Sequence, residues 1–498
     1  MEQLMIGRKK EIKILNDLCD IKESSLVAIY GRRRIGKTYL VNYMFKKYRS
    51  ECLFFEFTGT ANVPTKMQID NFVEQVYEWF KVEPTKDIKN WGDAFRFLKR
   101  TIDEEVQRRE HKEKVIIFID EIPWVDPSTK ANFLSTLGYF WNTYCEVRAN
   151  VVMILCGSNA SWIKNRIFED AVGPLHNRLT KKIPMYPFNL KETKQYLIEE
   201  KGFHLDNKMI TDVYMIFGGV AKYLSYLDAK KSIYENIDEL FFNIHGLMYS
   251  EYDKVFKSLF MNRADFHKSI IELLSSKRVG FTIQEISKAL DIAIGKRLIE
   301  AVDELLLCGF IQGVSKFNQK SREVKYIIAD PYILFHHKWV KELSKNDIAS
   351  FQQGYWRREV EKQIFSIWSG YAFEMVIITN IELYLRVRGL QGVFSGVYHW
   401  SYIAKDEDEQ GTQIDLVVSY GNSMFDIVEC KYYNDEYTIS KEYGNNLKNK
   451  LKIFRKYGLN SKQKAELRLV LLTSYGVKMN IEAHALNISR VVLDELFE

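Results

Sequence analysis

Eight consecutive residues, Gly31-Arg32-Arg33-Arg34-Ile35-Gly36-Lys37-Thr38, put two glycines in register with a following lysine and threonine. This spacing suits phosphate chemistry. Glycines let successive backbone N–H groups curl round an anion, and a helix opening at the end of the loop adds positive partial charge. Lys37 is then placed to reach the β- and γ-phosphates of ATP, and the Thr38 hydroxyl to ligate Mg2+. Asp120 and Glu121 follow the apolar run VIIFI. Asp120 is expected to hold Mg2+ through water, and Glu121 to polarise the attacking water as general base. Ser158 or Asn159, just after VVMILCG, is placed to read the γ-phosphate. Arg32, Arg33 and Arg34 make the loop strongly cationic, though one or none of them need touch nucleotide.

A second constellation lies in GTQIDLVVSYGNSMFDIVECKYY, which holds Asp415 on one strand pattern and Glu429-Cys430-Lys431 on the next. Strand residues i and i+2 share a face, so Glu429 and Lys431 point together while Cys430 turns into the core. A hairpin in register would set Asp415 across from them. These acids sit in apolar runs, where an ionised side chain needs a partner or a metal. Two carboxylates suit Mg2+ beside a phosphodiester, with Lys431 orienting or deprotonating a water. The bland alternative is a solvated strand edge, and the acidic run Asp406–Glu409 is most simply a solvated loop.

The elements around these residues change character along the chain. Residues 1–187 alternate short strands (26–30, 52–57, 114–120, 151–157, 180–186) with amphipathic helices, which predicts a parallel, doubly wound α/β sheet. Residues 188–258 carry helical spacing without strand runs and predict a helical lid. Residues 259–345 give three helix patterns and then two short strands, the layout of a winged helix. Its last helix, with Lys296 and Arg297 at the start, and Gln284 and Lys288 before it, would face DNA. Lys316, Lys320, Arg322 and Lys325 of the wing would meet phosphates; the alternative is a module that only packs domains together. Residues 346–498 read as a mixed α/β domain.

With IGR-x-x-E (Ile6–Glu11), GRRRIGKT, FIDE, LCGSN, PLHNRLT and GGVAKYL in that order, residues 1–342 resemble the archaeal-type P-loop ATPases of the STAND, AAA-like branch. The D…E-x-K pattern resembles the PD-(D/E)xK, restriction-endonuclease-like fold found fused to such ATPases. The first resemblance implies that Gly7, Arg8 and Glu11 start the helix beside the adenine. It also places Arg178 where an arginine finger, acting in a homo-oligomer, would stand; a structural surface arginine is the alternative. The second implies that Glu374 supplies another acid. The family's glycine-rich motif carries proline where this chain has Ala221. Together the resemblances imply an ATP- and Mg2+-dependent ATPase coupled to DNA binding and metal-dependent DNA cleavage. The competing reading is an ATP-gated regulator or scaffold with an inactive nuclease-like domain.

Bulk composition limits these readings without choosing among them. The 498 residues suit roughly three domains, and 46% hydrophobic with 27% charged residues is ordinary for a globular protein. A net charge of +6, from 71 basic against 65 acidic residues, permits nucleic-acid binding without arguing for it. The longest apolar runs are strand-length, too short for a membrane span. The first residues lack the apolar core of a signal peptide. Six scattered cysteines suggest neither zinc nor disulfides, so a reducing cytoplasm is expected.

Overall fold

The computed structural model describes residues 5–47, 52–108, 114–126, 132–315, 317, 324–404, 410–421, 423–459 and 464–498. The chain divides into two compact units, Met1–Tyr186 and Pro187–Glu498.

In the first unit, five strands form a sheet: β1 (Ser25–Tyr30), β2 (Leu53–Thr58), β3 (Val115–Asp120), β4 (Val151–Gly157) and β5 (Lys181–Pro184). Their order is β2-β3-β4-β1-β5, and every pairing is parallel. A sheet of this kind is covered on both faces, so its strands read as unbroken apolar runs. Alternate residues of β1 serve different cores. Leu26 and Ala28 join Phe72 and Phe95 of helices α3 (Thr65–Phe80) and α4 (Trp91–Arg108). Val27 and Ile29 join Leu15 and Leu40 of α1 (Lys9–Asp20) and α2 (Lys37–Lys47). This arrangement leaves the carboxyl ends of β1, β3 and β4 side by side, where open α/β sheets bind ligands.

The larger core of the second unit draws on residues from Phe188 to Phe497. The helices between Leu190 and Phe260, expected as a lid of the nucleotide domain, bury their apolar faces in that core. Within them Gly219 approaches Phe188 so closely that a Cβ would lie 1.7 Å from the Phe188 carbonyl oxygen. Ala221 opens the helix Ala221–Ser225 that follows. Next come the helices Ala264–Ser275, Ile283–Ala289 and Lys296–Leu307 with β6 (Phe281–Thr282), β7 (Ile311–Ser315) and β8 (Val324–Ile328), an antiparallel sheet in the order β6-β8-β7. Lys316, Lys320, Arg322 and the run Asp406–Glu409 lie outside the described residues.

The C-terminal sheet runs β13-β12-β11-β10-β9, with β9 (Gly396–Tyr402), β10 (Thr412–Tyr420), β11 (Met424–Lys431), β12 (Glu466–Thr473) and β13 (Ser489–Val492). The strands β9, β10 and β11 are antiparallel neighbours, whereas β11, β12 and β13 pair in parallel. Val428 and Cys430 pack in the larger core with Phe373 and Val376 of the helix Gln363–Thr379. Phe425 and Ile427 face the smaller core with Leu447 of the helix Lys441–Ile453. Phe317, between β7 and β8, wedges into that smaller core against Tyr398, Phe425 and Phe454 at ring-centroid distances of 5.3, 5.0 and 5.4 Å. Among the described residues no single helix is long and apolar enough to cross a membrane.

Asp426 has no exposed surface. Its carboxylate accepts hydrogen bonds from Tyr384 and Tyr420 at 2.7 and 2.8 Å, from Arg388 at 3.1 Å and from Arg468 at 2.8 Å. Removing it leaves two guanidiniums without their counter-charge, so Asp426→Ala should cost about 3–5 kcal/mol, read as a lower urea midpoint.

His336 stacks on Tyr252 with ring centroids 4.4 Å apart. Burial holds its imidazole down at about 3, helped by the charge of His337, and burial holds His337 at about 4. In the unfolded chain both titrate near the ordinary 6.5, so below that pH the unfolded state takes up protons first. The stabilisation they carry is complete above pH 6.5 and is lost as pH falls towards 4. A His336→Gln/His337→Gln chain should show a smaller drop in urea midpoint between pH 6.5 and 4.5 than the parent.

Candidate functional sites

The phosphate loop leaves β1 and enters α2 through backbone conformations that favour glycine at two points, Gly31 with φ +149° and Gly36 with φ +92°. Gly31 also has no room for a side chain, since a Cβ would lie 2.2 Å from the carbonyl oxygen of Met185. Arg34 takes the left-handed conformation between them, at φ +71°. Arg32 and Ile35 are buried, while Arg33 and Arg34 are half-buried. The loop's shape is supported from outside by Arg8, which is itself left-handed and buried. Its guanidinium donates to the Ile35 carbonyl at 2.9 Å and to the Tyr186 carbonyl at 2.6 Å. Glu11 lies 4.0 Å from that guanidinium.

Lys37 is buried, and its ammonium donates to the carbonyls of Gly31 and Arg32 at 2.9 and 2.8 Å. The Thr38 hydroxyl donates to Asp120 Oδ2 at 2.5 Å, which joins the first residues of α2 to the end of β3. Glu121 takes the left-handed conformation at φ +48°, and its backbone N–H donates to Asp120 Oδ1 at 2.8 Å. Its carboxylate accepts from the Ser158 hydroxyl at 2.8 Å and the Ser158 N–H at 3.2 Å. Ser158 is thus placed on the acid that would act as base. Asn159 instead caps the next helix, accepting from the Trp162 N–H at 2.9 Å.

This donor set fits a nucleotide with its magnesium. Thr38 and Asp120 offer a hydroxyl and a carboxylate converging on one point, and Lys37 supplies a cation beside the loop N–H groups. Magnesium bound there would neutralise the β- and γ-phosphates. Arg178 stands elsewhere, exposed and ion-paired with Glu146 at 2.9 Å.

In the C-terminal sheet the register Leu416↔Val428 places Asp415, one step on, opposite Glu429. A bulge against β9 falls between Ile414 and Val417, at Asp415 itself. Asp415 Oδ2 accepts the Cys430 N–H at 2.9 Å. Lys431 Nζ lies 3.9 Å from Glu429 and 4.7 Å from the Tyr443 ring centre. Glu374, on the helix Gln363–Thr379, feels both acids: burial and then the charge of Asp415 push it up to about 8. Burial and Asp415 raise Glu429 as well, against the opposing charges of Lys450 and Lys431.

The metal expectation for Asp415 and Glu429 meets a different arrangement. Lys450 donates to both oxygens of Glu429, at 2.6 and 2.7 Å, and Tyr443 donates to Oε2 at 2.9 Å. Among the described residues no group of three or more histidine, cysteine, aspartate or glutamate side chains is placed to hold a metal ion. A divalent ion does not fit this carboxylate while the ammonium holds it.

Three partners here escaped the sequence reading. Tyr443 and Lys450 lie on one stripe of a helix with Leu447, at i, i+4 and i+7, and Leu447 is fully buried. A lysine ending a core-facing stripe signals a buried counter-charge. Arg278, the third, left no such mark. It lies between helices, with its guanidinium 4.9 Å from the Tyr371 ring centre, and its charge acts on Glu374.

Residues 5–227 match a family model described as an ATPase domain predominantly from Archaea, and that stretch is an ATPase domain of this kind. The chain is 23% identical over 455 residues to an uncharacterized protein, MJECL04, of Methanocaldococcus jannaschii, covering 89% of this chain and 93% of that one. Among solved structures it is similar to the Walker-type ATPase paby2304 of Pyrococcus abyssi, at 16% identity and TM-score 0.45, covering 66% of this chain and 95% of that one. It is also similar to the ORC2 protein of Aeropyrum pernix, at 13% identity and TM-score 0.42, covering 70% and 95%.

Lys37→Ala should weaken ATP binding by about 1.5–3 kcal/mol, roughly ten- to a hundredfold in Kd, measured with a fluorescent ATP analogue. Glu121→Gln should leave that Kd unchanged and slow hydrolysis by about 10²–10⁴. Ser158→Ala should lower turnover with little effect on Kd, since it loosens Glu121. Equal ATP affinity in wild type and Lys37→Ala would remove the assignment.

Proposed function

We propose that this chain hydrolyses ATP through Lys37, Thr38, Asp120 and Glu121 and uses its nucleotide state to govern DNA binding by the second unit. The observation that carries the ATP reading is the convergence of Thr38, Asp120, Glu121 and Ser158 at the carboxyl ends of adjacent strands. In hydrolysis Glu121 takes the proton of the attacking water, with Ser158 fixing the direction of its carboxylate. Arg178, exposed on the ATPase domain, is the group that a second copy would receive as a finger. Its present partner, Glu146, is an exposed ion pair and is easily exchanged.

The DNA reading rests on the winged-helix layout of 259–345 and on cations gathered at the C-terminal carboxylates, Arg278 and Lys431. The helix Lys296–Leu307 turns Lys296, Arg297, Ile299 and Asp303 outward, and Lys296 pairs with Glu300 at 3.7 Å. That face mixes both signs. Phe317 meanwhile packs into the C-terminal core. These two observations favour the helix trio as the mount of the C-terminal domain, which then supplies the larger part of the DNA contact. The second reading, DNA cleavage, is favoured by the strand register that sets Asp415 opposite Glu429 and Lys431. Glu429's engagement with Lys450 weighs against it, so the regulator with a non-cleaving nuclease-like domain is the better reading.

Fluorescence anisotropy with labelled duplex, in ATP, ADP and no nucleotide, tests the proposal. We expect nucleotide-dependent affinity that falls steeply with salt, with a slope near −0.9 per phosphate contact on a log–log plot. Lys431→Ala should weaken binding and flatten that slope, and Lys296→Ala/Arg297→Ala should change it little. Supercoiled plasmid with Mg2+ or Mn2+ should stay intact; nicking that Asp415→Ala abolishes would install the cleavage reading instead. Absence of DNA binding in every nucleotide state would overturn the proposal.

A further inference from the structure

The helix Lys441–Ile453 begins at Ser440, whose side chain accepts the Tyr443 N–H at 3.1 Å. Tyr443, Leu447 and Lys450, at i, i+4 and i+7, share the face of this helix that is turned to the sheet. Leu447 fills the core between the two polar residues. Lys450 is only 9% exposed, and Glu429 1%. An ammonium in such a place is costly without a counter-charge, and a buried carboxylate equally so. Here each answers the other: both Glu429 oxygens take the Lys450 ammonium, and the Tyr443 hydroxyl adds a further bond. Asp415, across the hairpin, spends one oxygen on the Cys430 N–H.

We propose that Lys450 is the resident cation of the C-terminal site, standing on Glu429 where a divalent metal would have to stand, so that this domain engages phosphodiesters without a metal ion. Mg2+ binds carboxylate oxygen at about 2.0–2.1 Å, and an ion at that distance from either Glu429 oxygen would lie within contact of an ammonium that already holds both. Like charges would then share one buried carboxylate, with Lys431 3.9 Å away adding a third. A lysine on a helix that is itself packed into the core through Leu447 does not leave as a bound water does. The inference rests on the nuclease-like reading of Asp415, Glu429 and Lys431 for its phosphodiester partner; the exclusion of metal rests on the geometry alone.

Mn2+ binding to nucleotide-free protein, followed by the loss of the free-ion EPR signal, is the test. Every variant keeps Asp120, so differences between variants report the C-terminal site. Wild type and Glu429→Gln should bind Mn2+ alike. Lys450→Met, which keeps the length of the side chain and removes its charge, should gain one site at least about tenfold tighter, and Glu429→Gln/Lys450→Met should lose it again. Mn2+ held by wild type and released by Glu429→Gln would overturn the proposal, as would a folded Lys450→Met that gains nothing. Should Lys450→Met not fold, the comparison of wild type with Glu429→Gln still decides. At matched ionic strength, DNA affinity should not rise on going from EDTA to Mg2+; a rise that Glu429→Gln abolishes would overturn the proposal. Should no DNA bind in either, the phosphodiester partner falls and the Mn2+ comparison still stands on its own.

Discussion

Asp426 lies in the middle of an apolar strand with no access to water, and its charge is answered from three directions, by Tyr420 of β10, by Tyr384 and Arg388 of one helix and by Arg468 of β12. A buried carboxylate is stable only when its partners are complete. Those partners fix where the helix Ile381–Arg388 crosses the sheet and how β10, β11 and β12 line up. Three residues further along the same strand stands Glu429, with Lys450 and Tyr443 arriving from the opposite face. β11 is thereby clamped by charge on both sides, and the reactive-looking end of the sheet has little freedom to rearrange.

The ATPase domain uses its polar contacts differently. Its sheet is held by alternating apolar residues serving two cores, and the side-chain hydrogen bonds of the phosphate site lie where strands end. Thr38–Asp120 and Ser158–Glu121 each join neighbouring loops across the carboxyl edge of the sheet. The first ties together the two groups that magnesium and nucleotide would claim. The second gives the base a fixed direction. Packing supplies rigidity beneath, and these bonds sit on top.

The nucleotide site was legible because its signal is local. A glycine at φ +92°, a lysine and a threonine within a few residues, and an acid at the end of an apolar run all follow from short stretches of chain. The strand boundaries fell within a residue or two for the same reason, the loosest being β5, where Lys181–Pro184 pair. The C-terminal site was legible only in part. Strand alternation brought Glu429 and Lys431 together and pointed Cys430 to the core, but the counter-charge comes from a helix some twenty residues on. A carboxylate in an apolar run needs a partner, which holds for Asp415 and Glu429 and with more force for Asp426, in FDIV, whose partners come from three separate elements. Likewise a helical stretch such as 190–200 declares its spacing but not which core will receive it.

Arg8 joins two things that the sequence keeps far apart. Its one guanidinium holds the Ile35 carbonyl, inside the phosphate loop, and the Tyr186 carbonyl, at the last residue of the first unit. Two residues' worth of chain beside it reinforce the link, since the Met185 N–H donates to the Tyr30 carbonyl at 2.7 Å and the Met185 carbonyl presses on Gly31. The strand end through which the chain leaves the first unit is therefore strapped to the loop that would wrap the phosphates. A shift of that loop pulls on the exit like a cord tied at both ends, whatever lies beyond it.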